Sequence, residues 1–200
     1  MSEAVSEGVP VADTPARTVS IEIITEQSTA RRRLLLFGLL AVTTVLLDQS
    51  SKYWIRATIP MHHDVPLVPG WVHLTYTLNK GAAWSMLHGQ RWLLVAISVV
   101  VIGVVIWLAR DFARRGTLPV VGLGLVLGGA IGNLIDRVVG GAVTDFIDLD
   151  TPLRWLQTFP VFNIADSALT VGVSLLLVYT FFGGSGDEAA ATAEPPAATS

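Results

Sequence analysis

Apolar residues fall into four long runs separated by polar stretches. The first, Leu34 to Leu47, reads "LLLFGLLAVTTVLL" and follows three arginines. Alone it is short of the ~20 residues a bilayer-spanning helix needs. Continuing through "DQSSKYWI" supplies the length and predicts a span over about 34–56. The other three runs predict spans over about 92–109, 118–136 and 162–182. Between the first two, "WVHLTYTL" changes period. Val72, Leu74, Tyr76 and Leu78 share one face of a strand, and Trp71, His73, Thr75 and Thr77 share the other. Pro66, Pro69 and Gly70 precede it as breakers. "VTDFIDLDTP", after the third run, predicts a second short strand. The pattern thus predicts an all-α membrane protein: four transmembrane helices and a small outer β element over about 65–80 and 140–150.

Composition agrees with this pattern. The apolar fraction is 52% and the charged fraction 14%, against roughly 25% charged in soluble domains. Mean hydropathy is +0.58. The formal net charge of −3 hides an uneven distribution. Residues 1–30 hold five acids and one base, and residues 184–200 hold three acids and no base. Both segments read as disordered cytoplasmic tails around a four-span domain at 31–183. That domain carries 12 bases and 8 acids. About thirty polar residues precede the first run and no A-x-A site follows it, so it reads as a retained span rather than a signal peptide. Arg31 to Arg33, and Arg110, Arg114 and Arg115, flank short connections and put both termini in the cytoplasm. The absence of cysteine excludes disulfides, thiol catalysis and thiolate metal sites. No basic-aromatic patch points to nucleic acid.

The polar residues inside the spans gather at one depth. Asp48 and Lys52 end span one and share a helical face at i, i+4. Asn133, Asp136 and Arg137 end span three, and Asn163 and Asp166 open span four. Ionisable groups at membrane depth are costly and mark function by default. "NLID" (133–136) and "NIAD" (163–166) repeat an Asn-x-x-Asp pattern on two antiparallel helices. The repeat predicts that Asp136 and Asp166 meet. Two close carboxylates share a proton near neutral pH, so one can activate water while the other protonates a carbonyl oxygen. Plainer readings stand beside this one. Asp136–Arg137 can be an interfacial helix end, Asn163 and Asp166 an N-cap, and Asp48–Lys52 a structural ion pair. "GLGLVLGGAIG" lies inside a span, so its small residues suit close helix packing rather than a phosphate cradle. The four histidines show no metal-ligand spacing.

Five motifs, in this order over residues 34–182, carry a family resemblance: "DQSSK" (48–52), "NKGAAWSM" (79–86), "GGAIGNLIDR" (128–137), "VTDFID" (143–148) and "VFNIAD" (161–166). The chain resembles the lipoprotein signal peptidases (signal peptidase II), bacterial intramembrane aspartyl proteases. Trp84, where Phe is commoner, and Ser51, where Thr is frequent, are its small departures. The resemblance implies four transmembrane helices with an extracytoplasmic β-cradle and a mobile loop over the site, near residues 79–90. It implies cleavage of diacylglyceryl-modified prolipoproteins just before the lipidated cysteine, at the extracytoplasmic face of the bacterial cell membrane. No metal or cofactor is implied, and no protein partner beyond substrate and membrane lipids. Globomycin-type peptides are the implied inhibitors. The implied catalytic residues are Asp136 and Asp166, with Asp48, Lys52, Asn79, Gly81, Asn133, Arg137, Asp145, Asn163 and Ala165 around them. Asp145 is expected in a supporting role.

Two other functions remain open from sequence. A proton-coupled small transporter would also use intramembrane Asp and Asn, although polar residues are missing from the cytoplasmic halves of the spans. A Mg²⁺-dependent lipid transferase would use Asp145, Asp148 and Asp150 as ligands.

Overall fold

The computed structural model describes residues 15–81, 89–153 and 158–183. The outermost tail residues, 1–14 and 184–200, lie outside the described residues, as does most of the loop expected to move over the site, 82–88. Among the described residues, four helices are long and apolar enough to cross a membrane. They are α1 (Pro15–Thr58), α2 (Arg91–Arg115), α3 (Thr117–Val139) and α4 (Ile164–Val178), the last extended by a π-helical stretch, Tyr179–Gly183. The chain is therefore a multi-pass membrane protein.

α1 begins sixteen residues before the expected start of the domain at 31, inside the segment expected as tail. Pro15 suits a first helical position, where its missing N–H costs nothing. No further proline follows before Pro60 to end the helix. A single residue, Gly116, separates α2 from α3, and its N–H closes α2 on Phe112 O at 3.1 Å. α3 is the central helix and packs against α1, α2 and α4. Two thirds of its apolar window is buried (67%), against 17% for each of the other three, whose outer faces are apolar and suit lipid. Its glycines permit this approach. A Cβ on Gly122 would lie 2.9 Å from Gly172 O on α4, and one on Gly172 would lie 2.7 Å from Gly122 O.

Three antiparallel strands, β1 (Asp64–Val68), β2 (Val72–Asn79) and β3 (Val143–Asp148), form one sheet in the order β1-β2-β3. Only part of the expected breaker set breaks anything. Pro69 and Gly70 (φ +75°) make the β1–β2 turn, closed by Trp71 N–H donating to Val68 O at 3.0 Å. Pro66 lies within β1, an edge strand, where a missing N–H is tolerated. The expected two-faced alternation of β2 is also blurred. Seven of its eight residues are half-buried, and a register shift falls between Leu74 and Thr77. β3 pairs with β2 and, through an Ile147–Phe162 bridge, with the segment entering α4. Ile55, Ile59 and Phe146 bury together beneath the sheet and tie it to the end of α1. This packing brings α1, the end of α3, β3 and the start of α4 to one place.

Candidate active site

α1 supplies the first half of the polar centre. Asp48 and Lys52 are both fully buried and pair at 2.9 Å. An ammonium has three donors, and Lys52 uses them on Asp48 Oδ2, Asp136 Oδ2 (3.1 Å) and Asn133 Oδ1 (3.1 Å). Asp136 takes further bonds from Arg56 Nη2 (3.3 Å), Gln49 Nε2 (3.4 Å) and the backbone N–H of Thr144 (2.9 Å). Asp48 Oδ1 accepts from the N–H of Ala165 at 3.0 Å and so anchors the first turn of α4. Gly132 makes room for this carboxylate; a Cβ there would sit 2.5 Å from Asp48 Oδ2. Two carboxylates and two cations thus form a closed, charge-balanced cluster.

The second half is built from neutral amides. Asn163 is the N-cap of α4, with an extended backbone. Its Oδ1 accepts from Asp166 N (2.9 Å), and Asp166 Oδ2 accepts from Asn163 N (3.2 Å), a reciprocal capping box. The Asn163 Nδ2 group donates to Asp145 Oδ1 (2.6 Å) and Asn133 Oδ1 (3.2 Å). Asn133 Nδ2 donates to Asp166 Oδ1 at 2.8 Å. Asn79 Nδ2 donates to the other Asp145 oxygen at 3.0 Å, while Asn79 Oδ1 accepts from Gly81 N at 3.0 Å. Among the described residues, Asp145 and Asp166 therefore accept hydrogen bonds from neutral amides only. Burial, and then the charge of Asp166, push the Asp145 carboxyl up to about 7.

Both of these carboxylates line one cavity of about 350 Å³, with Asn79 and Arg137. Its other wall is apolar and includes Phe159, Val161, Phe162 and Leu169. Asp136 opens instead onto a separate recess with Gln49 and Arg56. The geometry is that of a chamber holding two carboxylates of unequal surroundings beside an apolar channel.

The family model described as signal peptidase (SPase) II matches residues 40–182, most of the chain. The chain belongs to the signal peptidase II family. A lipoprotein signal peptidase of Geobacillus thermodenitrificans (strain NG80-2) is 43% identical over 75% of this chain and 92% of its own length. One from Listeria welshimeri is 38% identical over 72% and 92%. A solved structure described as a bacterial membrane enzyme superposes with a TM-score of 0.69 at 31% identity, covering 82% of this chain and 94% of its own. A second of the same description gives a TM-score of 0.67 at 34% identity, covering 74% and 93%. As a signal peptidase II, the chain is a peptidase.

Within that family frame, the eleven residues expected from sequence do come together, but not in the expected pairs. The Asn-x-x-Asp repeat crosses over: Asn133 serves Asp166, and Asn163 serves Asp145. Asp136 turns toward α1 and does not line the cavity with Asp166. The N-cap reading of Asn163 and the ion-pair reading of Asp48–Lys52 both hold. Lys52 has no donor left for a substrate. Arg137 reaches inward, its Nη2 donating to Gly81 O at 3.4 Å. The three acids of "DFIDLD" diverge. Asp145 faces the cavity, Asp148 faces Asp64 and Thr75, and Asp150 lies 3.7 Å from His73. The ligand set of the Mg²⁺ transferase reading is therefore not assembled. Sequence reasoning missed Gln49, Arg56 and the Thr144 N–H. Arg56 was findable, because 48, 52 and 56 continue one i, i+4 stripe.

Proposed function

We propose that this chain is an aspartic endopeptidase that removes the signal peptide from diacylglyceryl-modified prolipoproteins, cutting just before the lipidated cysteine, with Asp145 and Asp166 as its catalytic pair. The pair replaces Asp136–Asp166, the one expected from sequence. One observation carries the choice: Asp145 and Asp166 line the same cavity and, among the described residues, accept hydrogen bonds only from neutral amides, with Arg137 nearby, whereas Asp136 is bound by Lys52 and Arg56 outside it. Asp136, held by two cations, has its oxygens occupied away from the cavity. A desolvated pair held by amides keeps one proton between two sites.

In the reaction, the ionised member takes a proton from water as its oxygen attacks the scissile carbonyl. The protonated member gives its proton to the carbonyl oxygen. The tetrahedral diol then collapses, the C–N bond breaks, and the leaving amine takes a proton from the pair. Asn133 and Asn163 hold the two carboxylates in register. The substrate class comes from the relatives' name, lipoprotein signal peptidase. The apolar wall of Phe159, Phe162 and Leu169 suits residues flanking the cut. The arginines at 31–33 and 110–115 lie at the end of the bundle away from the pair, which supports cytoplasmic termini and an extracytoplasmic site.

The test is cleavage of a diacylglyceryl-modified prolipoprotein by the purified full chain in detergent. Asp145→Asn and Asp166→Asn each reduce turnover at least a thousandfold, on the order expected for losing an acid–base group, with melting temperature retained. EDTA leaves the rate unchanged. Wild-type activity in Asp145→Asn, or an Asp136→Asn protein that melts normally yet cuts nothing, returns the role to Asp136.

A further inference from the structure

At the opposite end of the bundle, a recess of about 400 Å³ lies between α1 and α2. Its walls are three i, i+4 rows: Glu26, Ala30 and Leu34, and Gln27 with Arg31, on α1, and Arg110 with Arg114 on α2. Neighbouring cations are already engaged. Arg33 donates to Ala113 O and Arg114 O, and Arg115 pairs with Asp111 at 2.5 Å. Arg31, Arg110 and Arg114 have no hydrogen bond or ion pair among the described residues, and the only acid lining the recess is Glu26. Three uncommitted guanidinium groups and one carboxylate leave the recess with a net positive charge of two.

The recess sits where the apolar spans begin. Leu34 opens the first apolar run, and Leu35 and Leu39 on α1 continue it with exposed side chains. On α2, Trp107 is 76% exposed one turn from Arg110, with Val104 and Val100 exposed beyond it. An exposed tryptophan at a span end marks the membrane–water interface. Guanidinium forks bind phosphate oxygens in pairs. We propose that this recess is a binding site for the phosphodiester headgroup of an anionic phospholipid, whose acyl chains run down the exposed apolar surface of α1 and α2. Arg31, Arg110 and Arg114 hold the phosphate, and Glu26 disfavours a second anion. The site lies about 25 Å along α1 from Asp48, at 1.5 Å per residue, so it is separate from the peptidase centre.

The experiment uses the full chain in detergent and reads bound lipid by native mass spectrometry. The probes are phosphatidylglycerol, phosphatidylcholine and free glycerol 3-phosphate. The wild type retains phosphatidylglycerol in preference to phosphatidylcholine. Each arginine removed weakens retention about fivefold, and the triple Arg31→Gln, Arg110→Gln, Arg114→Gln variant roughly a hundredfold. A control of equal charge loss, Arg17→Gln with Arg32→Gln and Arg115→Gln, keeps the preference. Equal retention of the two lipids by the wild type overturns the proposal. So does equal loss in the control, which would mean diffuse surface charge. Displacement of phosphatidylglycerol by millimolar glycerol 3-phosphate overturns it too, in favour of a soluble anion site. Since retention is read without substrate, the result is independent of which aspartates cut.

Discussion

At the residue scale, the four aspartates of the centre, three buried and Asp166 half-buried, are sorted by what touches them. Asp48 and Asp136 meet cations, while Asp145 and Asp166 meet amides. Removing Lys52 leaves Asp48 buried without a cation and Asp136 with Arg56 alone. Lys52→Met therefore destabilises the protein by roughly 3–5 kcal/mol, visible as a lower melting temperature in detergent. Asp145 carries a pH signature. Its folded-state pKa, about 7, lies above its usual value of 3.8. The folded chain thus holds a proton that the unfolded chain releases, and stability falls as pH rises between about 4 and 7. Melting measured from pH 4 to pH 8 shows this fall in wild type and a shallower one in Asp145→Asn. Cleavage likewise declines as pH climbs past about 7 and the shared proton is lost. None of this sorting was visible in "NLID" and "NIAD". Spacing says which residues share a turn, but the cations that claim Asp136 arrive from α1, eighty residues earlier in the chain.

At the element scale, the spans were legible because a bilayer demands long apolar runs and the sequence has four. Their ends were less so. α1 runs back to Pro15 because nothing in that stretch opposes a helix, whatever its polarity. The small-residue stripe of "GLGLVLGGAIG" was readable as a packing surface, though not which helix each glycine meets. Gly132 meets Asp48, so Gly132→Ala pushes α3 from α1 at the ion cluster. The variant loses about 1–3 kcal/mol and shows reduced cleavage, and the shift is checked by thermal melting alongside turnover. β2 was found from its alternation, yet Pro66 was misjudged, because only the sheet order reveals β1 as an edge.

At the scale of the whole molecule, the chain is polar at both ends of the bundle but differently so. One end encloses a balanced centre, and the other exposes arginines that are unpaired among the described residues. The absence of native cysteine makes sidedness directly measurable. Ser28→Cys and His63→Cys place single thiols at opposite ends, both at exposed positions. In intact cells an impermeant maleimide labels position 63 and spares position 28. The reverse pattern would invert the orientation and with it the side on which signal peptides are cut.

The Lys52–Asn133 contact has a directional consequence. An asparagine amide normally turns over at little cost, exchanging its oxygen and nitrogen. Asn133 is denied that freedom, since turning it would set an NH₂ group against a buried ammonium 3.1 Å away. Its donor is thereby latched toward Asp166. Asn163 is latched in its turn, because its oxygen must receive the Asp166 N–H. A lysine that touches neither Asp145 nor Asp166 in this network thus sets the polarity of Asn133, and the first turn of α4 that of Asn163, before any peptide arrives.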